Sequence, residues 1–140
     1  MRYKVCKALI TVESDTASHY LMTLKRVPGN DNDGTLEFLG GRMDSGETPR
    51  ETLIRELFEE EATGNLSDVA KTLNLGYTEH LIGDALHYLF ALTLSVEQYS
   101  ALQFHPDESY GLRLVVANEL TPSLDKYTRK TNKIIQLLNQ

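Results

Sequence analysis

The segment running Gly41-Arg42-Met43-Asp44-Ser45-Gly46-Glu47-Thr48-Pro49-Arg50-Glu51-Thr52-Leu53-Ile54-Arg55-Glu56-Leu57-Phe58-Glu59-Glu60-Glu61-Ala62-Thr63 holds most of the structural information in this chain. It starts as a glycine-bounded loop and becomes a helix. Thr48 and Glu51 have the spacing of a capping box, and Pro49 between them occupies the first helical position, where a missing N–H costs nothing. From Pro49 to about Glu61, Leu53, Ile54, Leu57 and Phe58 form one apolar stripe at helical spacing. At 100° per residue, Glu56, Glu59 and Glu60 share a neighbouring face. Like charges three and four residues apart destabilise an isolated helix by a few tenths of a kcal/mol per pair. Arg55, four residues from both Glu51 and Glu59, offsets part of that. Such a trio needs solvent, arginine or a divalent cation to stay ionised.

Working outward, the residues before this segment favour strands. Residues 3–12 and 19–26 are rich in β-formers, with a turn-like Ser14–Ser18 between them. A loop dense in Pro, Gly, Asn and Asp covers residues 27–34, and a short strand at residues 36–39 ends in Gly40-Gly41. After a polar break at Gly64-Asn65, strands are expected near residues 73–77, 85–94 and 112–117. A helix over residues 124–138 closes the chain. Strands, helix, strands, helix is the order of an α/β (α+β) layered fold with a mixed sheet, in one domain spanning residues 1–140.

Composition excludes several classes. The chain has 140 residues, 41% of them hydrophobic and 24% charged, with a formal charge of −6. It is too apolar for disorder and too acidic for a general binder of duplex nucleic acid. Cys6 is the only cysteine, which rules out an internal disulfide and a multi-cysteine zinc site; its expected role is that of a small strand hydrophobe. The apolar run at residues 8–10, behind the basic start at Met1-Arg2, is too short for a signal peptide. No stretch approaches a membrane span, so a cytoplasmic location away from membranes is expected. Asp31-Asn32-Asp33-Gly34 does not fit an EF-hand, because Gly29 and Gly40 fall at its first and last ligand positions. His19, His80, His87 and His105 lack metal spacing and are read as structural. Tyr77, Tyr88 and Phe90 are either base-pocket or core aromatics.

From Gly41, the order is five residues, Glu47, seven residues, Arg55-Glu56-Leu57, Phe58, then Glu59-Glu60. This resembles the Nudix box, G-x5-E-x7-R-E-U-x-E-E-x-G-U, with U a bulky aliphatic. Leu36-Glu37-Phe38-Leu39-Gly40-Gly41, Gly46-Glu47-Thr48-Pro49 and Arg26 are similar to the flanks of the MutT-like branch. The resemblance implies a Nudix α/β/α sandwich with a mixed central sheet and a loop-helix-loop. It implies Mg²⁺ or Mn²⁺ on Glu56, Glu59, Glu60 and the Gly40 carbonyl, with Arg55 and Glu47 as the pair that orients those ligands. Arg26 and Gly41 fall on the substrate side.

The general base is left open between a helix glutamate, Glu56 or Glu60, and a loop acid, Glu108. The implied reaction is attack of a metal-activated water on a pyrophosphate phosphorus of a nucleoside diphosphate-X substrate. A nucleoside triphosphate is favoured. ADP-ribose, a nucleotide sugar, a dinucleoside polyphosphate or a non-catalytic nucleotide-sensing role stand as alternatives. The partner is a small nucleotide, and the chain is a monomer or homodimer. Ala62-Thr63 replaces the Gly-aliphatic end of the box, and Gly64 is expected to cap a slightly longer helix instead. Leu39 stands where proline is usual. Guanine-selective members carry an asparagine near the last helix, for which Asn132 is a counterpart of uncertain register.

Overall fold

A computed structural model describes residues 3–140; Met1 and Arg2, part of the basic start noted above, lie outside the described residues. The long strand β1 (Tyr3–Glu13) is the centre of a mixed sheet. It runs antiparallel to β2 (Ser18–Lys25) on one side and parallel to β6 (Ala85–Leu94) on the other. Strand β3 (Leu36–Glu37) extends the sheet beyond β2, and β5 (Tyr77–Ile82) extends it beyond β6. The third predicted strand is in fact two: after β3 the chain crosses back, and β4 (Leu39–Arg42) pairs with β1, setting Gly40 opposite Lys7 and Gly41 opposite Cys6. Strand β7 (Ser109–Val116) pairs with β2.

Alternation along β1 gives the sheet two buried faces. Cys6, Ala8, Ile10 and Val12, with Tyr88 and Phe90 of β6, pack under α1 (Pro49–Glu60) and α2 (Asn65–Thr72) through Leu53, Leu57, Leu66 and Ala70. The opposite face packs Met22, Phe38 and Leu89 against Ile134 and Ile135 of α4 (Arg129–Leu138). Each fully buried leucine or isoleucine in these layers contributes about 2 kcal/mol of burial. The result is the expected helix–sheet–helix layering around a mixed sheet. No helix of the described residues is long and apolar enough to cross a membrane.

Several expectations need correction. The break at Gly64-Asn65 begins a helix, α2, because Gly64 adopts φ 82° and turns the chain into its N-terminus. Gly64 therefore does not cap α1, which ends at Glu60 with extended backbone at Glu61. The next strand is displaced to Tyr77–Ile82, where its register is set by the hairpin with β6. A short helix α3 (Val96–Ser100), with a Ser95/Gln98 capping box, was not anticipated. The last helix starts at Arg129, capped by Thr128, rather than near residue 124. Phe58 leaves the apolar stripe and is 63% exposed.

Candidate active site

Helix α1 starts as its capping box dictates: Thr48 Oγ1 accepts from the Glu51 N–H, and Glu51 accepts from the Thr48 N–H. Its N-terminal loop folds around Arg55. That guanidinium donates from Nε to Glu47 (2.7 Å) and from NH2 to Glu47 (3.0 Å) and the Arg42 carbonyl (2.9 Å). From NH1 it reaches Glu56 (3.0 Å) and Glu59 (3.3 Å). The Asp44 N–H and the Thr52 hydroxyl complete the shell of Glu47. Hydrogen bonds from Arg55 hold the Glu47 carboxyl at about 2, and Glu47 in turn pushes the Arg55 pKa further up. The predicted pair is thus a two-point ion pair that fixes the side chain between two further carboxylates.

Glu56 and Glu60 stand closer to the sheet, where the two glycines of β4 make room. A Cβ on Gly41 would come within 2.5 Å of the Glu56 carboxylate, and one on Gly40, at φ 131°, would overlap the Cys6 carbonyl. The Gly40 N–H donates to Glu60 at 2.9 Å. Burial raises the Glu56 carboxyl despite Arg55, and raises Glu60 to about 8, with Lys7 and the Gly40 N–H opposing. Burial thus outweighs the nearby cations, Arg55 at Glu56 and Lys7 at Glu60. Cys6 lies beneath the two acids, fully buried, with its thiol pushed up to about 12 mainly by burial; it is inert packing.

Among the described residues, no three His, Cys, Asp or Glu side chains converge closely enough to hold an ion. The reason is local: Arg55 draws Glu56 and Glu59 to one side, while the Gly40 N–H holds Glu60 on the other. The Gly40 carbonyl, expected as a fourth ligand, accepts from Lys7 Nζ at 3.3 Å. The donor set still fits a hard divalent cation, because it is all oxygen and burial disfavours the bare charge of its two innermost carboxyls.

Glu108, at the start of β7, lines a cleft of ≈ 510 Å³ with Glu59, Phe58 and His105, so the structure brings the loop acid to the acidic end of α1. Arg26 does not stand free toward the substrate: its NH1 donates to the Pro106 carbonyl at 2.6 Å, and its guanidinium lies over the Tyr110 ring. Asn132 is spent on the chain before α4, accepting from the Ser123 N–H at 2.8 Å and donating to the Ser123 carbonyl at 3.1 Å. Tyr77 packs on both Tyr88 and Phe90, with ring centroids 5.1 and 5.2 Å apart.

Five cationic residues outside the helix motif gather nearby. On the α4 side of the glycine pair lies a cavity of ≈ 450 Å³ that Gly41 also lines. It carries five cationic side chains, Lys7, Lys25, Arg42, Arg129 and Lys130, against the single carboxylate of Glu37. Lys7 was detectable: it interrupts the buried alternation Val5-x-Lys7-x-Leu9, where a third apolar residue belongs. The altered box end also has an explanation. Glu61 is 1% exposed and accepts from the Thr63 N–H and hydroxyl, the Leu66 N–H and the Gln103 N–H. Burial pushes its carboxyl up, but those hydrogen bonds outweigh burial and hold it below the ordinary range.

The NUDIX domain family model matches residues 6–138. The chain belongs to the Nudix family. It resembles a Nudix hydrolase from M. smegmatis, RenU, at 19% identity, with TM-score 0.63 over 99% of this chain and 84% of that one. A MutT protein from Methanosarcina mazei Go1 shares 13% identity, with TM-score 0.61 over 98% and 92%. The NUDIX domain of Shewanella oneidensis NrtR, solved with ADP-ribose, shares 13% with TM-score 0.69 over 99% and 87%. At these identities the solved structures speak to the fold. No curated protein sequence matches the chain. As a Nudix pyrophosphohydrolase, it acts on the pyrophosphate bond of a nucleoside diphosphate linked to a further group.

Proposed function

We propose that this Nudix hydrolase cleaves the pyrophosphate bond of a nucleoside triphosphate, with Mg²⁺ or Mn²⁺ held by Glu56, Glu59, Glu60 and the Gly40 carbonyl. The observation that carries this is a charge arrangement. The carboxyls Glu56, Glu59 and Glu60 lie on one side of Gly40-Gly41, and five cations against one carboxylate lie on the other. A bound polyphosphate spans both. A triphosphate offers more anionic charge to that cavity than ADP-ribose or a nucleotide sugar, which end in neutral sugars. Because the Asn132 amide is already bonded, the reading does not extend to guanine selectivity.

The divalent ion supplies charge neutralisation and a lowered pKa for water. The chain's own groups do the rest. Arg55, locked by Glu47, orients Glu56 and Glu59, and the Gly40 N–H orients Glu60. Lys7 and Lys25, both ion-paired with Glu37, line the cavity on the phosphate side of this reading. The proton leaving the attacking water goes to Glu108, across the cleft from Glu59, or to Glu56 or Glu60.

A hydrolysis panel of nucleoside triphosphates, ADP-ribose, nucleotide sugars and dinucleoside polyphosphates, with Mg²⁺ or EDTA, tests the reading. Triphosphates should show the highest kcat/KM, with turnover abolished by EDTA. In Glu60→Gln, turnover should fall at least a hundredfold. A preference for ADP-ribose would overturn the triphosphate assignment. Nucleotide binding without turnover would favour a sensing role.

A further inference from the structure

Alternation along β1 puts Lys7 on the sheet face of Val5 and Leu9. Its side chain keeps only 12% of its surface exposed. An ammonium is strongly hydrated, so oxygen acceptors must replace the water it gives up there. Three oxygens surround it. Nζ donates to the Phe38 carbonyl at 3.0 Å and to the Gly40 carbonyl at 3.3 Å, and a Glu37 oxygen lies 3.8 Å away. Glu37 is shared, because Lys25 Nζ stands 3.6 Å from the same oxygen. The Lys7 charge is therefore held chiefly by two carbonyls of the crossing from β3 to β4.

A cation in a shell of hard oxygens has the surroundings of a metal ion. One of those oxygens is the Gly40 carbonyl, the same atom that the proposed divalent ion would use. The overlap extends to charge, since Lys7 favours the ionised forms of both Glu60 and Glu56. The carbonyl itself is fixed. Gly40 lies opposite Lys7 in the β1–β4 ladder, at φ 131° against the Cys6 carbonyl, with its N–H bonded to Glu60 at 2.9 Å. Lys7, on a flexible four-carbon stem, is the part that can move. The cavity of ≈ 450 Å³ that it lines gives it room. Lys25, Arg42, Arg129 and Lys130 line the same cavity, so withdrawal into it is unfavourable until an anion enters.

We propose that Lys7 is a positioning residue, a tethered cation that competes with the divalent ion for the Gly40 carbonyl and releases it when a polyphosphate neutralises the cavity. This rests on the metal site and the triphosphate substrate of the proposed function. Without nucleotide, Lys7 supplies positive charge to the acidic residues and keeps divalent-ion binding weak. With nucleotide, ammonium and phosphate attract each other, and the carbonyl is free for the ion. Ion and nucleotide thus strengthen each other's binding, and removing the Lys7 charge uncouples them.

The test reads ion binding without turnover. Mn²⁺ binding in the absence of nucleotide is measured by electron paramagnetic resonance of the free ion. Lys7→Met keeps the stem and removes the charge, so it should bind Mn²⁺ about tenfold or more tighter than wild type. Lys7→Gln, which keeps a donor for the two carbonyls, should also bind Mn²⁺ more tightly and covers the case in which Lys7→Met fails to fold. Lys7→Arg retains the charge and should stay close to wild type. A purely structural Lys7 has the opposite signature, because losing its bonds would loosen Gly40 and weaken Mn²⁺ binding. A nucleoside triphosphate with a methylene bridge between its α and β phosphorus atoms should then tighten Mn²⁺ binding to wild type about tenfold more than to Lys7→Met. Chelation of Mn²⁺ by the analogue is common to both proteins and cancels in that comparison. Unchanged or weaker Mn²⁺ binding in the uncharged variants overturns the inference even if hydrolysis is normal, and so does equal tightening by the analogue. Tighter binding in those variants, with no triphosphate turnover by wild type, sinks only the proposed activity.

Discussion

Glu60 and Glu47 are both carboxylates of one site, yet their environments push them in opposite directions. Burial lifts Glu60 from 4.5 to about 8, whereas Arg55 lowers Glu47 to about 2. A carboxyl whose pKa is raised by folding binds its proton more tightly in the folded state. Its contribution is therefore full below about 4.5 and fades as pH rises through about 8. Glu47 has the reverse sign: its contribution is present above about 4.5 and is lost as pH falls through about 2. In EDTA, we expect the thermal midpoint of wild type relative to Glu60→Gln to fall between pH 5 and pH 8. Added Mg²⁺, which needs the ionised carboxylate, should raise the wild-type midpoint more at pH 8 than at pH 5. Parallel melting curves for the two proteins at all pH values would refute the burial argument. Gly41 gives a second expectation at this scale. Its φ lies outside the left-handed region, so alanine fits the backbone, but the new methyl displaces the Glu56 carboxylate. Gly41→Ala should leave the melting temperature nearly unchanged and lower kcat by about tenfold or more. Wild-type kcat would mean that Glu56 tolerates displacement.

At the scale of elements, the end of α1 depends on Glu61 as much as its start depends on Thr48. Four donors converge on one buried carboxylate, and the Ala62 N–H adds a bond to the Gln103 carbonyl. Glu61→Ala leaves those donors without their acceptor and should cost about 2 to 4 kcal/mol, read as a lower denaturant midpoint at unchanged m. Glu61→Gln, which keeps shape and one acceptor, should cost less. If alanine costs no more than glutamine, the convergent donors are not what holds this end. None of this was legible beforehand, because the reading assigned the box end to Gly64, a residue that instead starts α2. The start of α1 was legible because Thr48, Pro49 and Glu51 encode it within four residues. Helix α2 was not, since its eight residues carry only Leu66, Val69 and Ala70 as an apolar face behind a Gly-Asn break. Strand β5 has only one buried residue, Ile82, so its position comes from pairing with β6 rather than from its own pattern. The acidic half of the site shares one helix with its own signal. The cationic half draws on β1, β2, β4 and α4, so only the assembled fold shows it.

Across the whole molecule, the candidate base is carried by a segment far in sequence from the helix it must serve. Residues 101–110 are fastened to α1 by Glu61 through the Gln103 N–H, and to the end of β2 by Arg26 through the Pro106 carbonyl. A bridge between Glu61 and Phe104 reinforces the first of these, and pairing of β7 with β2 fixes the start of β7 beside Glu108. Arg26 on this view is a positioning residue acting through the loop, so its loss and the loss of Glu108 should produce related defects of different size. If Glu108 takes the proton of the attacking water, Glu108→Gln should lower kcat by a factor of about 10² to 10⁴. Arg26→Ala should lower kcat by about tenfold with KM unchanged, because the base remains present but is less well held. A phosphate-binding role for Arg26 would instead raise KM with kcat preserved. Near-normal turnover in Glu108→Gln would return the proton to Glu56 or Glu60. The 101–110 segment would then be a wall of the cleft rather than part of its chemistry.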